Sequence, residues 1–190
     1  MPFGNHQNGI GAIMTKIELR RLVSQRLAAL SPEARAEKSA AICREIAGTG
    51  EWRTARTVGL FAPLASEPDV DRLRAAPGTR ACYPRMNGGG LLFLRVADRA
   101  ALLASRWNLL EPAHREEDVV PPEEIDLLLV PGVAFTPDGH RLGRGRGFYD
   151  RFLATPGLRA ITFGVCFSEQ VFPELPVEPH DRPVSRLFSR

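Results

Sequence analysis

The apolar residues at the start of the chain recur with the period of a helix. From Lys16 to Leu30, residues 17, 19, 22, 23, 27 and 30 are apolar and fall near the 3.6-residue period of an amphipathic helix. A second helix is predicted to begin at Ser31-Pro32-Glu33, because serine can cap, proline suits the first helical position and glutamate complements the helix dipole. Gly48 stands where this second helix is expected to end.

The rest of the chain alternates between strand-like and helix-like segments. The strand-like runs are Thr57 to Phe61, Ala81 to Pro84, Leu91 to Val96, Ile125 to Val130 and Ala160 to Phe167, and the helix-like pieces include Asp69 to Ala75. This alternation predicts an α/β fold, a three-layer α/β/α domain with a largely parallel, Rossmann-like sheet. The fourth run is almost wholly apolar, as expected of a central strand covered on both faces, and Pro131-Gly132 ends it.

Length and composition are those of an ordinary globular chain. Its 190 residues, 44% of them hydrophobic and 25% charged, are enough for one domain with a single core, which we place at residues 16–190. No apolar run approaches the roughly 20 residues of a membrane-spanning helix. Residues 1–15 do not resemble a signal peptide, and we expect them to form a disordered extension in which Met14 is an alternative start.

Cysteine usage and net charge indicate the cellular compartment and the kind of substrate. Cys43, Cys82 and Cys166 lie far apart in apolar segments without metal-like spacing, which predicts reduced core thiols in a cytoplasmic protein. The net charge of +3 and the isoelectric point near 9.0 suit anionic substrates. The composition does not by itself indicate a nucleic-acid partner.

Glycines, arginines and a carboxylate crowd together between Arg141 and Arg151. Arginines precede and separate three glycines at every second position: Arg141, Gly143, Arg144, Gly145, Arg146 and Gly147. Without Cβ atoms on one edge, successive N–H groups can close on an anion, and the arginines add charged donors. Phe148 to Leu153 is predicted to begin a helix whose dipole favours the same anion. The stretch is therefore predicted to handle phosphate, with Asp150 as a magnesium ligand.

With its neighbours included, this stretch resembles a known family. Pro131 to Phe135 and Asp138 to Leu153 look like the hallmark segment of the 5-formyltetrahydrofolate cyclo-ligases, also called 5,10-methenyltetrahydrofolate synthetases. Other pieces agree in order: Lys16 to Arg20 with K-x-x-L-R, Glu67 after the first strand, Trp107 to Pro112 with W-x-x-x-x-P, then Gln170 and His180-Asp181. The resemblance runs from residue 16 to about residue 185.

The resemblance implies an ATP-dependent cytoplasmic enzyme of one-carbon metabolism. Its reaction closes 5-formyltetrahydrofolate to 5,10-methenyltetrahydrofolate and releases ADP and phosphate. Transfer of the γ-phosphoryl group of ATP to the formyl oxygen gives an iminium phosphate that N10 of the folate attacks, and such a transfer mainly needs positioning and charge neutralisation. The implied partners are ATP, Mg²⁺ and a reduced folate, without nucleic acid or membrane, and the implied state is a monomer or weak homo-oligomer.

The resemblance also implies which residues form the site. The implied catalytic residues are Lys16, Glu67, Arg141 and Tyr149. The implied ATP-binding residues are Lys16, Arg20, Arg141, Leu142, Gly143, Arg144, Gly145, Arg146, Gly147, Phe148 and Tyr149. The implied folate-binding residues are Ala62, Glu67, Trp107, Arg144, Gly145, Arg146, Gly147 and Phe148. Asp150 and Asp181 are the implied magnesium ligands.

Some positions depart from the family, and other interpretations stay open. Arg144 and Arg146 stand where many members carry tyrosine and glycine, and Phe148 stands where tyrosine is common. The stretch could also be a flexible loop, and the basic face of the first helix an ordinary surface. Two other functions remain: an α/β enzyme that binds sugar phosphate or coenzyme A, and a non-enzymatic RNA-binding protein that uses the RGRG loop, with affinity falling steeply with salt.

Overall fold

The computed structural model describes residues 14–75, 78–105 and 109–190. Within these ranges the α-helices are α1 (Lys16–Ala28), α2 (Pro32–Ala47), α3 (Gly50–Thr54) and α4 (Phe148–Leu153). The strands are β1 (Thr57–Gly59), β2 (Arg80–Asn87), β3 (Gly90–Arg95), β4 (Leu102–Ala104), β5 (Leu110–Pro112), β6 (Val119–Val120), β7 (Leu127–Pro131), β8 (Ala134–Phe135), β9 (Arg141–Leu142), β10 (Ile161–Cys166) and β11 (Arg186–Ser189). Short 3₁₀ turns connect several of them.

The central sheet has seven strands in the order β11-β10-β7-β1-β2-β3-β6. The pairs among β11, β10, β7, β1 and β2 are parallel, whereas β3 pairs antiparallel with β2 and with β6. β7 lies between β1 and β10, and Leu127 to Val130 are buried, as predicted for a central strand. The largely parallel α/β fold predicted from the sequence is therefore confirmed.

The two faces of the sheet are covered by different helices. Leu127 and Leu129 of β7 belong to a cluster with residues of α2 and α3, whereas Leu128 and Val130 belong to a cluster with Phe152 of α4. Because successive residues of a strand point to opposite faces, these clusters lie on the two sides of the sheet. A third cluster packs α1 against the region after β7, through Leu19, Val23, Leu27, Ala134, Leu142, Phe167, Phe172 and Leu175.

The helix ends follow the predicted capping chemistry. The Ser31 side chain accepts a hydrogen bond from the Ala34 backbone N–H, Pro32 is the first residue of α2, and Gly48 is its C-cap. α1 begins at Thr15, which forms a capping box with Glu18. Thr15 thus belongs to the domain rather than to the extension that we expected at residues 1–15. The rest of that expectation, apart from Met14, lies outside the described residues.

Several elements differ from the sequence predictions. Asp69 to Ala75, predicted as helix-like, contains a 3₁₀ turn over Asp71–Ala75, and the strand predicted at Ala81 to Pro84 is longer, because it continues into a hairpin with β3. The short strands β4, β5, β6, β8, β9 and β11 were not predicted. None of the described helices is long and apolar enough to cross a membrane.

The three cysteines are buried free thiols, as predicted. Burial raises the pKa of the Cys43 thiol to about 11. The same cause raises the pKa of Cys82 and that of Cys166 to about 12. The thiolate is the reactive form, so these side chains contribute packing rather than chemistry.

Gly139 connects the turn after β8 to the segment before β11. It has a φ of 95°, and a Cβ atom there would lie 2.3 Å from the Val184 carbonyl oxygen. We expect Gly139→Ala to lower the free energy of unfolding by at least about 2 kcal/mol, because backbone strain adds to a backbone clash. Gly157→Ala is the control, since Gly157 has a φ of 90° but a Cβ atom there would lie 3.9 Å from its nearest neighbour. Urea denaturation measures the free energy of unfolding of both variants. Equal losses of stability in Gly139→Ala and Gly157→Ala would contradict an effect of the clash.

Candidate active site

Residues 143–147, here called the glycine-arginine loop, join β9 to α4 and are held by hydrogen bonds at both ends. Arg20 of α1 donates from Nε to the Gly143 carbonyl oxygen at 3.0 Å. Arg151 of α4 donates from Nη2 to the Arg146 carbonyl oxygen at 2.8 Å. Gly145 and Gly147 have φ values of 95° and 62°, which favour glycine over residues with a Cβ atom. The loop backbone is therefore held in one shape between two helices.

α4 is present where the sequence predicted it, but it is short. It has six residues, and its N-cap, Gly147, has no side chain that could form a capping hydrogen bond. A helix of about one and a half turns aligns few peptide dipoles, so its field is weaker than we expected. The positive charge that attracts an anion must therefore come mainly from the loop arginines and from the basic side chains of α1.

Arg141 forms a buried ion pair with Asp150. Its Nη2 lies 2.6 Å from Oδ1 of Asp150, and the two side chains are only 3% and 12% exposed. The guanidinium carbon lies 5.7 Å from the centre of the Tyr149 ring. The pair fixes the carboxylate beneath the loop, because breaking it would leave an uncompensated buried charge.

Lys16 lies beside the other predicted metal ligand. Its Nζ is 2.9 Å from Oδ2 of Asp181 and 3.0 Å from Oε1 of Glu178. Burial alone would lower the pKa of Lys16, but its hydrogen bonds to Asp181 and Glu178 outweigh burial and the pKa is raised. Burial opposes ionisation of Asp181, yet the Lys16 hydrogen bond lowers the Asp181 pKa overall. The next residue, Arg182, donates from its backbone N–H to Oδ1 of Asp150 at 3.4 Å, so the two aspartates are neighbours.

Glu67 is held in place through both carboxylate oxygens. Oε1 accepts a hydrogen bond from Nη2 of Arg144 at 2.9 Å, and Oε2 accepts one from the Leu64 backbone N–H at 3.0 Å. The same Arg144 nitrogen donates to the Ser66 hydroxyl at 3.1 Å. The Glu67 side chain is 7% exposed, whereas Arg144 is 53% exposed. An exposed arginine of the loop thus contacts a buried glutamate that follows β1.

Two cavities adjoin the loop. The first, of about 400 Å³, has mostly apolar walls and is lined by Phe61, Ala62, Leu64, Glu67, Pro84, Met86, Leu91, Leu109, Leu110, Glu111, Pro131, Gly132, Arg141, Gly143, Arg144, Arg146, Gly147, Phe148, Tyr149 and Asp150. The second, of about 210 Å³, is lined by Arg20, Val23, Ser24, Leu27, Ser66, Gly132, Val133, Arg144 and Gln170. Gly132 and Arg144 line both, so the cavities are adjacent.

Tyr149 lines the first cavity and carries a buried hydroxyl. Its hydroxyl is buried and has no hydrogen-bond partner, and the same is true of Nε of Arg141. Burial raises the pKa of the Tyr149 hydroxyl far above its ordinary value, so this group is neutral and can donate a hydrogen bond. A buried polar atom without a partner costs free energy, which a polar ligand atom in the cavity would recover.

The structure brings most of the predicted residues to the loop and its surroundings. Ten line the first cavity, and Arg20 and Arg144 line the second. Lys16, Gly145 and Asp181 line neither cavity, and Lys16 and Asp181 pair with each other. The Leu142 side chain is part of the core beneath α1, so only its backbone can serve a ligand. Trp107 lies outside the described residues.

Sequence reasoning did not assign several residues that surround the cavities. Gln170 donates from Nε2 to the carbonyl oxygens of Gly132 and Val133, both at 3.0 Å, and lines the second cavity. Its place in the C-terminal match was the signal that could have identified it. Phe61, two residues after β1, and Met86 of β2 line the first cavity, and no sequence pattern separates these two apolar residues from core residues.

Comparison with known proteins agrees with this geometry. The profile of the 5-formyltetrahydrofolate cyclo-ligase family matches residues 12–189. The chain is 32% identical to the 5-formyltetrahydrofolate cyclo-ligase of Escherichia coli K12 over 176 residues, which cover 88% of this chain and 96% of that one. It is 28% identical to the mouse enzyme of that name over 184 residues, which cover 90% and 91% of the two chains.

A solved structure supports the same grouping. The 5,10-methenyltetrahydrofolate synthetase of Aquifex aeolicus is similar with a TM-score of 0.80 at 33% sequence identity, covering 93% of this chain and 90% of that one. These matches favour the cyclo-ligase family over the two alternative functions, which were an enzyme that binds sugar phosphate or coenzyme A and an RNA-binding protein. The resemblance inferred from the sequence is confirmed: the chain belongs to the 5-formyltetrahydrofolate cyclo-ligase family and is an enzyme with that family's activity.

Proposed function

We propose that the first cavity binds the reduced folate and that the glycine-arginine loop holds the triphosphate of ATP beside it. The main support for this proposal is that Gly132 and Arg144 line both cavities, so that the two cavities meet at the loop. One substrate on each side of that wall brings the γ-phosphoryl group to the formyl oxygen. The three buried free thiols support the further proposal that the enzyme works in the cytoplasm.

The first cavity suits a flat bicyclic ligand. Its volume of about 400 Å³ is within the range of small-molecule sites, and its walls combine apolar side chains with a few polar groups. Ala62, Phe61 and Met86 supply apolar contacts, while Glu67 supplies a polar one. In this proposal the fixed Glu67 carboxylate would contact the folate near its reacting formyl group.

The proposed reaction has two steps, a phosphoryl transfer and a ring closure. The formyl oxygen attacks the γ-phosphorus, the bond to ADP breaks, and an iminium phosphate forms. N10 then attacks the formyl carbon, N10 loses its proton, and the carbon–oxygen bond breaks to release phosphate. The first step requires that negative charge on the phosphoryl oxygens be neutralised. Lys16, Arg20, Arg144 and Arg146 are the cationic side chains around the loop that can do so.

The donor set near the loop fits Mg²⁺. Magnesium in phosphoryl-transfer sites takes one or two carboxylates, with substrate phosphates and water completing its coordination. Asp150 and Asp181 are neighbouring carboxylates beside the loop. Among the described residues no three His, Cys, Asp or Glu side chains group as a metal site, so the phosphates would have to supply further ligands. Bound Mg²⁺ would supply charge neutralisation, and Asp150 and Asp181 would hold it.

Narrowing the first cavity tests the assignment of the two substrates. Ala62→Leu adds bulk to its wall, so we expect the dissociation constant for 5-formyltetrahydrofolate to rise by about tenfold or more, because overpacking a filled pocket is unfavourable. ATP affinity should stay near the wild-type value. Calorimetric titration of each substrate measures both constants. Ala104→Leu is the control, because Ala104 is an exposed residue of β4. Weakened ATP binding with intact folate binding would reverse the assignment.

A further inference from the structure

Arg35 of α2 binds two separate parts of the chain with one guanidinium group. Its Nη1 donates to the Ala65 carbonyl oxygen at 2.6 Å. Its Nε donates to the Leu30 carbonyl oxygen at 3.3 Å, and its Nη2 donates to that of Leu27. Leu27 lies in the last turn of α1, whereas Ala65 lies two residues before Glu67. Arg35 therefore holds the end of α1 against the segment that carries Glu67.

Residues 63–67, here called the Glu67 segment, contain a turn that is closed by its own hydrogen bonds. The Glu67 backbone N–H donates to the Leu64 carbonyl oxygen at 2.9 Å. The Leu64 backbone N–H donates in return to Oε2 of Glu67 at 3.0 Å. Because the carboxylate is bonded to the backbone of its own turn, its position follows that of the turn. By holding the Ala65 carbonyl, Arg35 thus also fixes the place of the Glu67 carboxylate.

Two other arginines connect the same parts of the chain around the second cavity. Arg20 joins α1 to the glycine-arginine loop through the Gly143 carbonyl oxygen. Arg144 joins that loop to the Glu67 segment through the Ser66 hydroxyl. Arg35 completes the set by joining the Glu67 segment to α1. All three parts contribute to the walls of the second cavity, so the three contacts together set its shape.

The contacts of Arg35 with α1 and with the Glu67 segment have different consequences. The last carbonyl groups of a helix lack partners within the helix, and a cation beside them is favourable. The contacts with Leu27 and Leu30 are therefore explained by the stability of α1 alone. Ala65 lies outside that helix, in the turn after β1. The contact with Ala65 instead determines how far Glu67 lies from α1.

We propose that Arg35 is a positioning residue that holds Glu67 at a fixed distance from the phosphate-binding side chains of α1. This inference rests on the proposed function, in which α1 and the loop hold ATP and Glu67 contacts the folate. Phosphoryl transfer depends on the alignment of the two substrates, so a small displacement of one lowers the rate without weakening the binding of either. Arg35 therefore contributes to kcat rather than to the KM of either substrate.

The first test compares Arg35→Ala with wild-type protein in steady-state turnover of 5-formyltetrahydrofolate and ATP. We expect kcat to fall about 10- to 100-fold, with both KM values within about threefold of the wild-type values. Rates are measured at temperatures where circular dichroism shows the variant to be folded, because a loss of stability alone would leave kcat unchanged there. Arg44→Ala is the control, since Arg44 is an exposed arginine of the same helix. Wild-type kcat in folded Arg35→Ala would overturn the proposal, as would a rise in KM alone.

The second test adds guanidinium ion to Arg35→Ala. Arg35 lines a third cavity of about 320 Å³, whose walls include the exposed residues Ala36 and Arg72, so a small solute can reach this position. We expect millimolar guanidinium to raise the kcat of Arg35→Ala at least about threefold, because a planar fork of donors can bond carbonyl groups on two sides. Methylammonium should have no such effect. Equal effects of the two ions would overturn the proposal.

Arg35→Lys supplies the test if Arg35→Ala does not fold. Lysine keeps the charge but lacks the fixed fork that spans both parts of the chain, so we expect kcat to fall about fivefold or more with both KM values unchanged. Wild-type kcat in folded Arg35→Lys would overturn the role of Arg35 and leave the proposed function intact. Failure of wild-type protein to convert 5-formyltetrahydrofolate with ATP would instead remove the proposed function.

Discussion

Asp150→Asn is expected to reduce kcat by at least about 100-fold, because preorganised charge at the transferring group is lost. The carboxylate is 2.6 Å from Arg141 and accepts from the Arg182 N–H, so it is fixed next to the loop. Asparagine has nearly the same shape as aspartate but lacks the negative charge that binds a metal ion and pairs with the Arg141 guanidinium. Turnover measured by product absorbance at saturating substrates tests this. Activity equal to that of wild-type protein would exclude Asp150 from the site.

A structural effect of Asp150→Asn must be separated from a magnesium effect. Loss of the ion pair leaves Arg141 buried with a weaker partner, so some loss of stability accompanies the substitution. Thermal unfolding and a magnesium titration of the rate distinguish the two causes. If Asp150 binds Mg²⁺, the half-saturating magnesium concentration rises in the variant at temperatures where it is fully folded. Asp138→Asn is the control, because Asp138 is 70% exposed in a nearby turn.

Lys16→Ala is expected to raise the KM for ATP about 10- to 100-fold, because a charged donor to the triphosphate is removed. The KM for 5-formyltetrahydrofolate should remain close to the wild-type value. Lys16 contacts Asp181 and Glu178, so ATP would replace these two anionic partners with its phosphates.

Lys38→Ala is a matched control for Lys16→Ala. Lys38 forms an ion pair with Glu169 at 3.0 Å and has a side-chain exposure of 25%, close to the 23% of Lys16. It does not line either cavity beside the loop. Initial-rate kinetics over a grid of both substrates separates the two KM values. Equal increases for ATP and folate in Lys16→Ala would contradict a phosphate-binding role.

The parts of the fold predicted from the sequence are those determined locally. Ser31 and Gly48 bound α2 because capping depends on residues within one turn, and the apolar run in β7 marks a central strand because both of its faces are covered. β8 and β9 have two residues each, too few for a hydrophobic period to be recognised. β11 is also short, and it forms only because β10 offers it a parallel edge.

The candidate site likewise contains features that the local sequence predicts and contacts between distant residues that it does not. The glycine spacing identified the loop, since the required backbone freedom is written in the residue types themselves. The pair of Glu67 with Arg144 spans 77 positions, and that of Lys16 with Asp181 spans 165, so no local pattern could predict either.

We expect the glycine-arginine loop and the two cavities beside it to carry out the ATP-dependent closure of a reduced folate. The most direct measurement is the near-ultraviolet absorbance of purified protein incubated with 5-formyltetrahydrofolate, ATP and Mg²⁺, with ADP measured in the same samples. We predict an absorbance increase from the methenyl product, one ADP for each product molecule, and no reaction when ATP is omitted. An unchanged absorbance at high enzyme concentration, or product formed without ADP, would contradict the account.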